Sequence, residues 1–582
     1  MKKPRTGRWL ALIVVVAAGL QALYWWGGHR FVTHAYARGG GNILFNLIPA
    51  PGMPLRPLQE YLDRADGVWR TFQLAWMLVA VVLVAAPALD RATGRLHARC
   101  LRFGRACAEH PRAFLTGGAL VVALVTATIG WLVLEHFPNS GDEYCYLYQA
   151  DTLLAGRLSN PPHPLQPFFE TSHIIERGGR LFSVFPPGWP LMLAAGMRVG
   201  LPPWTLNPLL SAAMFVLVFW LARRVTGDGA TAALASVMLA TTNYFLMTGA
   251  SYFSHTACAA LVVGAMIAML RMAEGRAWSA AAAGLLAGLA VITRYYTPVL
   301  CLLPLTIVLL RERPWRTEYL WAIAGALPPI VFMLVYNHAL SGNALVLSKG
   351  GVEQYDDLWF ATGFWRRGAE FMGAHLFDLM LWTPPALVIA YLAGVRRAAP
   401  FKSRLGAVGA GFACVALGLY PYMNRGGNQY GPRFYFDGFP LLVTVAAAAV
   451  FGATRYEDRS RASRRLVYLY FASVVAHVAI AAMQFQMTHA EVDERLDLER
   501  RVAASSISRA LVFVETPIGL ERAMFPDDFT RNGIDFSATV LYALDRGASN
   551  QQLRDYYPDR ECYRYRFDVD ARTGSLMPCA PR

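Results

Sequence analysis

Two adjacent carboxylates, Asp142 and Glu143, follow a long apolar run and open a long polar segment. A carboxylate at the mouth of a membrane cavity can accept a proton from a hydroxyl group, while nearby cations hold a departing phosphate. The same acids can instead cap or solvate the start of an amphipathic helix near Tyr144, a position where acids are favoured. The pair therefore marks either a group-transfer site or the start of a helix.

Three further residues could complement the acids. Arg433 follows Gly-Pro in a late polar segment, and its guanidinium can hold phosphate oxygens bidentately or snorkel to the membrane interface. Arg294 lies at a break between two short apolar runs, where an arginine is costly unless it faces a cavity or a headgroup. His255 stands at a helix entrance, as a site residue or a packed polar residue.

Weaker candidates come from the same polar segments. Lys349 either contacts a phosphate group or solvates its loop, and Arg425 is either a ligand or an interfacial anchor. Tyr435 is a candidate substrate-binding residue because it lies two residues after Arg433. Clustered carboxylates could bind a divalent metal, but no ligand spacing demands one, and no cofactor is inferred.

The composition is that of a polytopic membrane protein. Of the 582 residues, 55% are hydrophobic and 16% are charged, and apolar runs near 20 residues recur along the chain. The net charge of +15 comes from arginines in short loops between apolar runs and not from a polar domain, which argues against nucleic-acid binding. These arginines report membrane topology instead.

About 13 transmembrane helices are predicted. The run 9–26 is a retained first helix or a signal peptide, and we favour the helix because no small-residue cleavage site follows. A basic segment after the second run is cytoplasmic by the positive-inside rule, so the third run delivers Asp142 to the outer face. The remaining runs are 71–89, 114–134, 206–221, 230–247, 256–272, 278–292, 298–310, 319–336, 379–395, 405–420, 439–453 and 466–483.

Residues 489–582 form a polar tail that predicts a small α/β domain on the outer face. Residues 511–515, 539–543 and 562–569 are typical of strands, and 550–557 is helix-like. We expect Cys562 and Cys579 to be joined, since both lie in an exported tail and flank a predicted strand. The other six cysteines show no paired CxxC spacing.

A family resemblance rests on several short elements in a fixed order. They are Asp142-Glu143 with Tyr146-Leu147, the segment Phe185-Pro186-Pro187-Gly188-Trp189-Pro190-Leu191, and Gly431-Pro432-Arg433-Phe434-Tyr435 before a late span. Over about residues 114–455 they resemble the group of membrane glycosyltransferases that contains the dolichyl-phosphate-mannose protein mannosyltransferases and the aminoarabinose transferases, of GT-C fold. The tail and the two extra N-terminal helices differ from the protein mannosyltransferases, which leaves the acceptor open.

The resemblance implies transfer of a sugar from a polyprenyl-phosphate donor, with inversion, to a lipid, a glycan or a protein. It implies an essential acid in the first outer loop, 136–190, where we also expect interfacial helices. Asp142 is then the base, facing Arg433 across the cavity, and Glu143 orients the acceptor, supports Asp142 or assists a metal. The implied location is a bacterial inner membrane, with the site and tail periplasmic.

The expected organisation is an N-terminal hairpin with a basic cytoplasmic loop (1–113), a GT-C-like core (114–488) and a periplasmic domain (489–582). Membrane lipids are expected partners besides the donor and the acceptor. The competing interpretation is a transporter or flippase of a lipid-linked sugar. A transporter of this size is expected to show paired broken helices in two inverted repeats, which the sequence does not show.

Overall fold

The computed structural model describes most of the chain after residue 89. The described residues are 90–171, 173–312, 317–346, 372, 375–376, 378–419, 430–452, 458–505, 507–515, 532–568, 571 and 573–580. The predicted N-terminal hairpin, Lys349 and Arg425 lie outside them.

Helices make up the larger part of the described chain. In chain order they are α1 (Asp90–Glu109), α2 (Pro111–Leu132), α3 (Gly141–Leu154), α4 (Gly188–Arg198), α5 (Leu206–Thr226), α6 (Gly229–Ala240), α7 (Asn243–Ala250), α8 (His255–Met272), α9 (Ala277–Thr293), α10 (Thr297–Glu312), α11 (Thr317–Ser341), α12 (Pro385–Ala398), α13 (Arg404–Gly418), α14 (Phe439–Phe451), α15 (Asp458–Ala504) and α16 (Asn550–Tyr556). Strands are β1 (Ile174–Glu176), β2 (Leu181–Ser183), β3 (Ala510–Glu515), β4 (Val540–Leu544), β5 (Glu561–Asp568) and β6 (Thr573–Pro578).

Six helices of the described chain are long and apolar enough to cross a membrane, or seven if one bent pair forms a single span. The six are Pro111–Leu132, Pro203–Thr226, His255–Met272, Thr317–Ser341, Arg433–Phe451 and Leu466–Ala504. The predicted multi-pass character agrees with this finding, whereas the count of about 13 is not confirmed. Helices α9 and α13 are apolar but shorter than a full crossing.

The predicted span 230–247 is not one straight helix. It is divided into α6 and α7, which are bent by 64° at the break. Thr242 donates to the carbonyl oxygen of Leu239 at 2.9 Å, and Asn243 donates to the side chain of Gln484 at 2.6 Å. Short polar side chains that bond locally compete with the helical ladder, which explains the bend.

Two predicted helix boundaries are also wrong. The run 379–395 is interrupted before Pro384-Pro385, because proline cannot continue a helix ladder, and α12 begins at Pro385. The last predicted span, 466–483, is part of a single helix of 47 residues, α15. Its polar end is supported by i,i+4 ion pairs, Glu491 with Arg495 at 3.4 Å and Asp497 with Arg501 at 2.7 Å.

The polar tail forms a four-stranded sheet in the order β4-β3-β5-β6. Strand β3 pairs in parallel with both β4 and β5, whereas β6 pairs antiparallel with β5. The three predicted strands and the helix are confirmed, and β6 is an additional strand. The predicted Cys562–Cys579 disulfide is present, with 5.3 Å between the two Cα atoms.

The sheet packs on residues within 136–190, the segment predicted to be the first outer loop. Phe168 and Phe169 are buried against Leu511, Phe513 and Leu541 on one face of the sheet. Within residues 136–190, the described chain forms helix α3, a 3₁₀ helix (Gln166–Phe169), the hairpin β1–β2 and the start of α4. The interfacial position of helices in this segment stays a prediction. The hairpin was missed because its strands have three residues each; its turn, Gly178-Gly179, has positive φ at both glycines, as a two-residue hairpin turn requires.

Candidate active site

The acid pair begins helix α3, and Ser140 caps it. The Ser140 hydroxyl accepts from the Glu143 amide at 3.3 Å and donates to Oε2 of Glu143 at 3.0 Å. The other oxygen of Glu143, Oε1, accepts from the Tyr252 amide at 2.7 Å. Both acids lie in the first turn, but the capping side chain belongs to Ser140.

Glu143 is enclosed, with 1% of the residue exposed. Burial raises the pKa of its carboxyl to about 7, against the opposing effects of the Tyr252 amide, the Ser140 hydroxyl and the Arg433 charge. Its two oxygens join the start of α3 to the turn between α7 and α8. In this arrangement Glu143 fixes the position of its neighbour, Asp142.

Asp142 points the other way and stays 16% exposed. Its Oδ2 lies 3.2 Å from Nη2 of Arg433, and its Oδ1 lies 3.3 Å from Nε2 of His173. Asp142 was expected to face Arg433 across a cavity, and that expectation is wrong, because the two side chains are in contact. A second contact holds the segments of these two residues together, because the Asn139 side-chain amide donates to the Tyr430 hydroxyl at 3.2 Å.

A 3₁₀ helix, Arg433–Gly438, supplies Arg433 and a buried acid, Asp437. Asp437 accepts from Nε of Arg294 at 2.8 Å, from Nδ1 of His255 at 3.2 Å and from the Thr297 hydroxyl. Nη1 of Arg294 lies 3.3 Å from Nε2 of His255. These contacts fit a neutral His255 that donates through Nδ1 and accepts through Nε2.

Aromatic rings separate the two arginines. The guanidinium carbon of Arg433 lies 4.5 Å from the ring centre of Phe253, and Phe434 lies 5.8 Å from Arg433 and 5.6 Å from Arg294. Cations beside ring faces gain electrostatic stabilisation in a region that excludes water. The site therefore contains two arginines, each beside its own carboxylate, around one ring.

The structure brings five of the predicted site residues close together, and a sixth, Tyr435, is buried beside them. Asp142, Arg433, Arg294 and His255 are linked through the contacts above, and Glu143 adjoins them as the chain neighbour of Asp142. Tyr435 is buried, and its ring lies 6.1 Å from that of Phe412, so it packs behind the 3₁₀ helix. Lys349 and Arg425 are not among the described residues.

Two residues of the network were missed from the sequence, His173 and Asp437. Asp437 lies four residues after Arg433, and an acid at that spacing beside an apolar span could have been noted, since an unpaired charge there is costly. His173 lies 31 positions beyond Asp142 along the chain, and its proximity depends on the unpredicted β1–β2 hairpin.

Metal ligation was tested on the same side chains. Within the described ranges, no group of three or more His, Cys, Asp or Glu side chains converges in a way that could hold an ion. Both oxygens of Glu143 have protein partners, and both oxygens of Asp142 contact nitrogen atoms.

Comparison with known proteins yields one family match and several structural likenesses. Residues 510–582 match a family model described as a domain of unknown function, DUF7846. No curated protein matches the sequence. The family match covers only the C-terminal sheet domain.

Among solved structures, the chain is similar to ArnT from Cupriavidus metallidurans bound to undecaprenyl phosphate, with 12% identity, a TM-score of 0.48, and coverage of 78% of this chain and 92% of that one. It is similar to the archaeal oligosaccharyltransferase AglB from Archaeoglobus fulgidus in complex with an inhibitory peptide and a dolichol-phosphate, with 13% identity, a TM-score of 0.46, and coverage of 78% and 70%. It is also similar to the arabinofuranosyltransferase AftD from Mycobacteria, with 15% identity, a TM-score of 0.37, and coverage of 74% and 33%.

All three are GT-C fold glycosyltransferases, the class that the sequence resembles. Their TM-scores lie below 0.5 and their identities at or below 15%, so no residue role, donor or acceptor is transferred from them.

Proposed function

We propose that this chain is a membrane glycosyltransferase that moves a sugar from a polyprenyl-phosphate donor to a hydroxyl group of an acceptor, with inversion at the anomeric carbon. The observation that carries the proposal is the contact between Asp142 and Arg433, at 3.2 Å, beside the ring of Phe253. A partly exposed carboxylate and a guanidinium at one position supply a proton acceptor and a phosphate ligand.

The reaction is a direct displacement. The acceptor oxygen forms a bond to the anomeric carbon, and its proton passes to Asp142. The bond from that carbon to the lipid-phosphate oxygen breaks, and its electron pair leaves with the phosphate. The growing negative charge is stabilised by Arg433 and Arg294, which are held in place before the reaction begins.

Positioning in this proposal comes from the buried partners of the two arginines. Asp437 holds Arg294 and His255, and Glu143 holds the start of α3 below Asp142. When a phosphate enters, Arg433 can turn part of its fork from Asp142 to the phosphate, which leaves the carboxylate more basic for the incoming hydroxyl. Lys349 and Arg425 complete the proposed substrate-binding set. Through its packing on Phe412, Tyr435 supports the 3₁₀ helix that carries Arg433.

The proposal places the site on the periplasmic side of a bacterial inner membrane, with 114–488 as the catalytic core and 489–582 as a periplasmic domain. The acceptor is a lipid, a glycan or a protein. Reporter fusions after Arg582 test the sidedness: a reporter active in the periplasm should report, and its cytoplasmic counterpart should not. Activity of the cytoplasmic reporter alone would reverse the orientation.

The experiment that tests the function measures sugar transfer from a polyprenyl-phosphate sugar by the purified protein and by Asp142→Asn. Asparagine keeps the size of the side chain and removes the basic oxygen, so turnover should fall by about 10²- to 10⁴-fold while the donor still binds. A helix-capping role predicts near-normal turnover, because asparagine caps about as well as aspartate. A transporter or flippase would move the lipid-linked sugar across vesicles without transferring it.

A further inference from the structure

His173 lies beside Asp142 and belongs to neither of the two arginine pairs. Its Nε2 is 3.3 Å from Oδ1 of Asp142, and 23% of its side chain is exposed. The ring is stacked on Phe185, with 5.5 Å between ring centres and 15° between planes. The two residues are 31 positions apart in the sequence, and they meet only because the chain between them folds back.

The hairpin fixes the position of this histidine. His173 immediately precedes β1, and its carbonyl oxygen accepts from the Val184 amide at 3.0 Å, just after β2. Phe185, the next residue, stacks on the His173 ring and lies 4.9 Å from the ring of Tyr146 on α3. Backbone and ring contacts therefore both aim the imidazole at the start of α3.

The hydrogen bond between His173 and Asp142 can have only one direction. A carboxylate oxygen can only accept, so Nε2 of His173 must carry the hydrogen that it shares with Oδ1. Arg433 binds the other oxygen of Asp142. The two donors lie at opposite oxygens of the carboxylate and together hold the orientation of its plane.

We propose that His173 is a positioning residue for the transfer reaction: its Nε2–H holds the Asp142 carboxylate in the orientation that accepts the acceptor proton. This inference rests on the proposed function. When a phosphate draws Arg433 away from Asp142, the hydrogen bond from His173 stays in place and restrains rotation of the carboxylate. His173 therefore acts on kcat through Asp142 and not on donor binding.

Three substitutions separate the hydrogen bond from the ring stacking. His173→Phe keeps a ring on Phe185 and removes the donor. His173→Gln places an amide nitrogen near the position of Nε2, and His173→Asn places one near Nδ1, too short to reach Asp142. The control is His110→Phe, at an exposed histidine between α1 and α2.

We expect kcat to fall by roughly 10- to 100-fold in His173→Phe and His173→Asn, since a hydrogen bond to a charged group is lost, with KM for the donor unchanged. His173→Gln should recover most of the rate, and His110→Phe should match the wild type. In the Asp142→Asn background, His173→Phe should cause no further loss, because the residue acts through Asp142.

Normal kcat in a folded His173→Phe protein would overturn the inference, as would a folded His173→Gln protein no faster than His173→Asn. An additional full loss in the double variant would also contradict it. The proposed function would still stand after any of these results, provided that the wild type transfers sugar and Asp142→Asn does not. Absence of transfer by the wild type itself would instead refute the proposed function.

Discussion

Arg433 and Asp437 lie four residues apart in one 3₁₀ helix, and each is paired with an opposite charge from a different part of the chain. Arg433 contacts Asp142 at the start of α3, and Asp437 accepts from Arg294 at the break between α9 and α10. One short element therefore joins the first outer loop to a helix break about 150 residues later in the chain. The geometry of this 3₁₀ helix therefore sets the separation between the guanidinium groups of Arg433 and Arg294.

The first prediction concerns Asp437, whose side chain is fully buried. Asp437→Asn leaves the Arg294 charge without its counter-ion and should lower the free energy of unfolding by up to about 3 kcal/mol, since breaking a buried pair from one side is costly. Thermal unfolding of the purified protein measures this. Asp151→Asn, at an exposed acid on α3, is the matched control.

The double variant Asp437→Asn with Arg294→Gln should regain part of that stability, because both charges are then removed together. Simple addition of the two single losses would show that the pair is not coupled.

The second prediction is that Arg433 and Arg294 bind the donor phosphate, whereas an ordinary surface arginine does not. Arg433→Ala and Arg294→Ala should each raise KM for the lipid donor by about tenfold or more, the loss expected for a charge-assisted contact to phosphate. Arg433→Lys should restore the affinity only in part, because an ammonium lacks the planar fork of the guanidinium. Arg105→Ala, on the exposed face of α1, should have no effect. Unchanged donor kinetics in both alanine variants would remove the arginines from the phosphate site.

The third prediction follows from the raised pKa of Glu143. Its value in the folded chain is about 7, compared with 4.5 for the free group, so the folded state binds this proton more tightly than the unfolded state. The contribution of Glu143 to stability is therefore largest below about pH 4.5 and is lost as the pH rises towards 7, by an amount on the order of 3 kcal/mol.

Glu143→Gln cannot titrate, and its amide oxygen can still accept from the Tyr252 amide. The difference in unfolding free energy between the wild type and this variant should change across pH 4.5–7 and stay level above that range. Parallel curves over the whole range would show that the carboxyl is not held in its neutral form.

The fourth prediction tests the packing between the sheet domain and the outer loop. Phe168 is buried, with its ring 6.3 Å from that of Phe513. Phe168→Asp removes the apolar contact and buries a charge, so the docked arrangement should lose roughly 3–5 kcal/mol or more. Limited proteolysis should then release the C-terminal domain faster. Met577→Asp, at an exposed position on β6, should leave the rate of cleavage unchanged.

Much of the fold could be predicted because apolar length and periodicity are local properties. The spans that became α8, α9, α10 and α14 were predicted to within a few residues. The errors fall where a local feature competes with hydrophobicity. Thr242 and Asn243 bend one run, Pro384 interrupts another, and the ion pairs of α15 continue a helix beyond its apolar part.

The sequence by itself determined that an acid pair follows an apolar run, that Arg294 stands at a break between two such runs, and that Cys562 and Cys579 lie in one polar tail on either side of a predicted strand. Only the tertiary structure decided which acid is exposed. Successive helical residues point about 100° apart, so Asp142 turns to Arg433 and His173 while Glu143 turns inward to the Tyr252 amide. The partners of both acids come from distant segments, and no pattern of nearby residues specifies contacts that form only when those segments pack together.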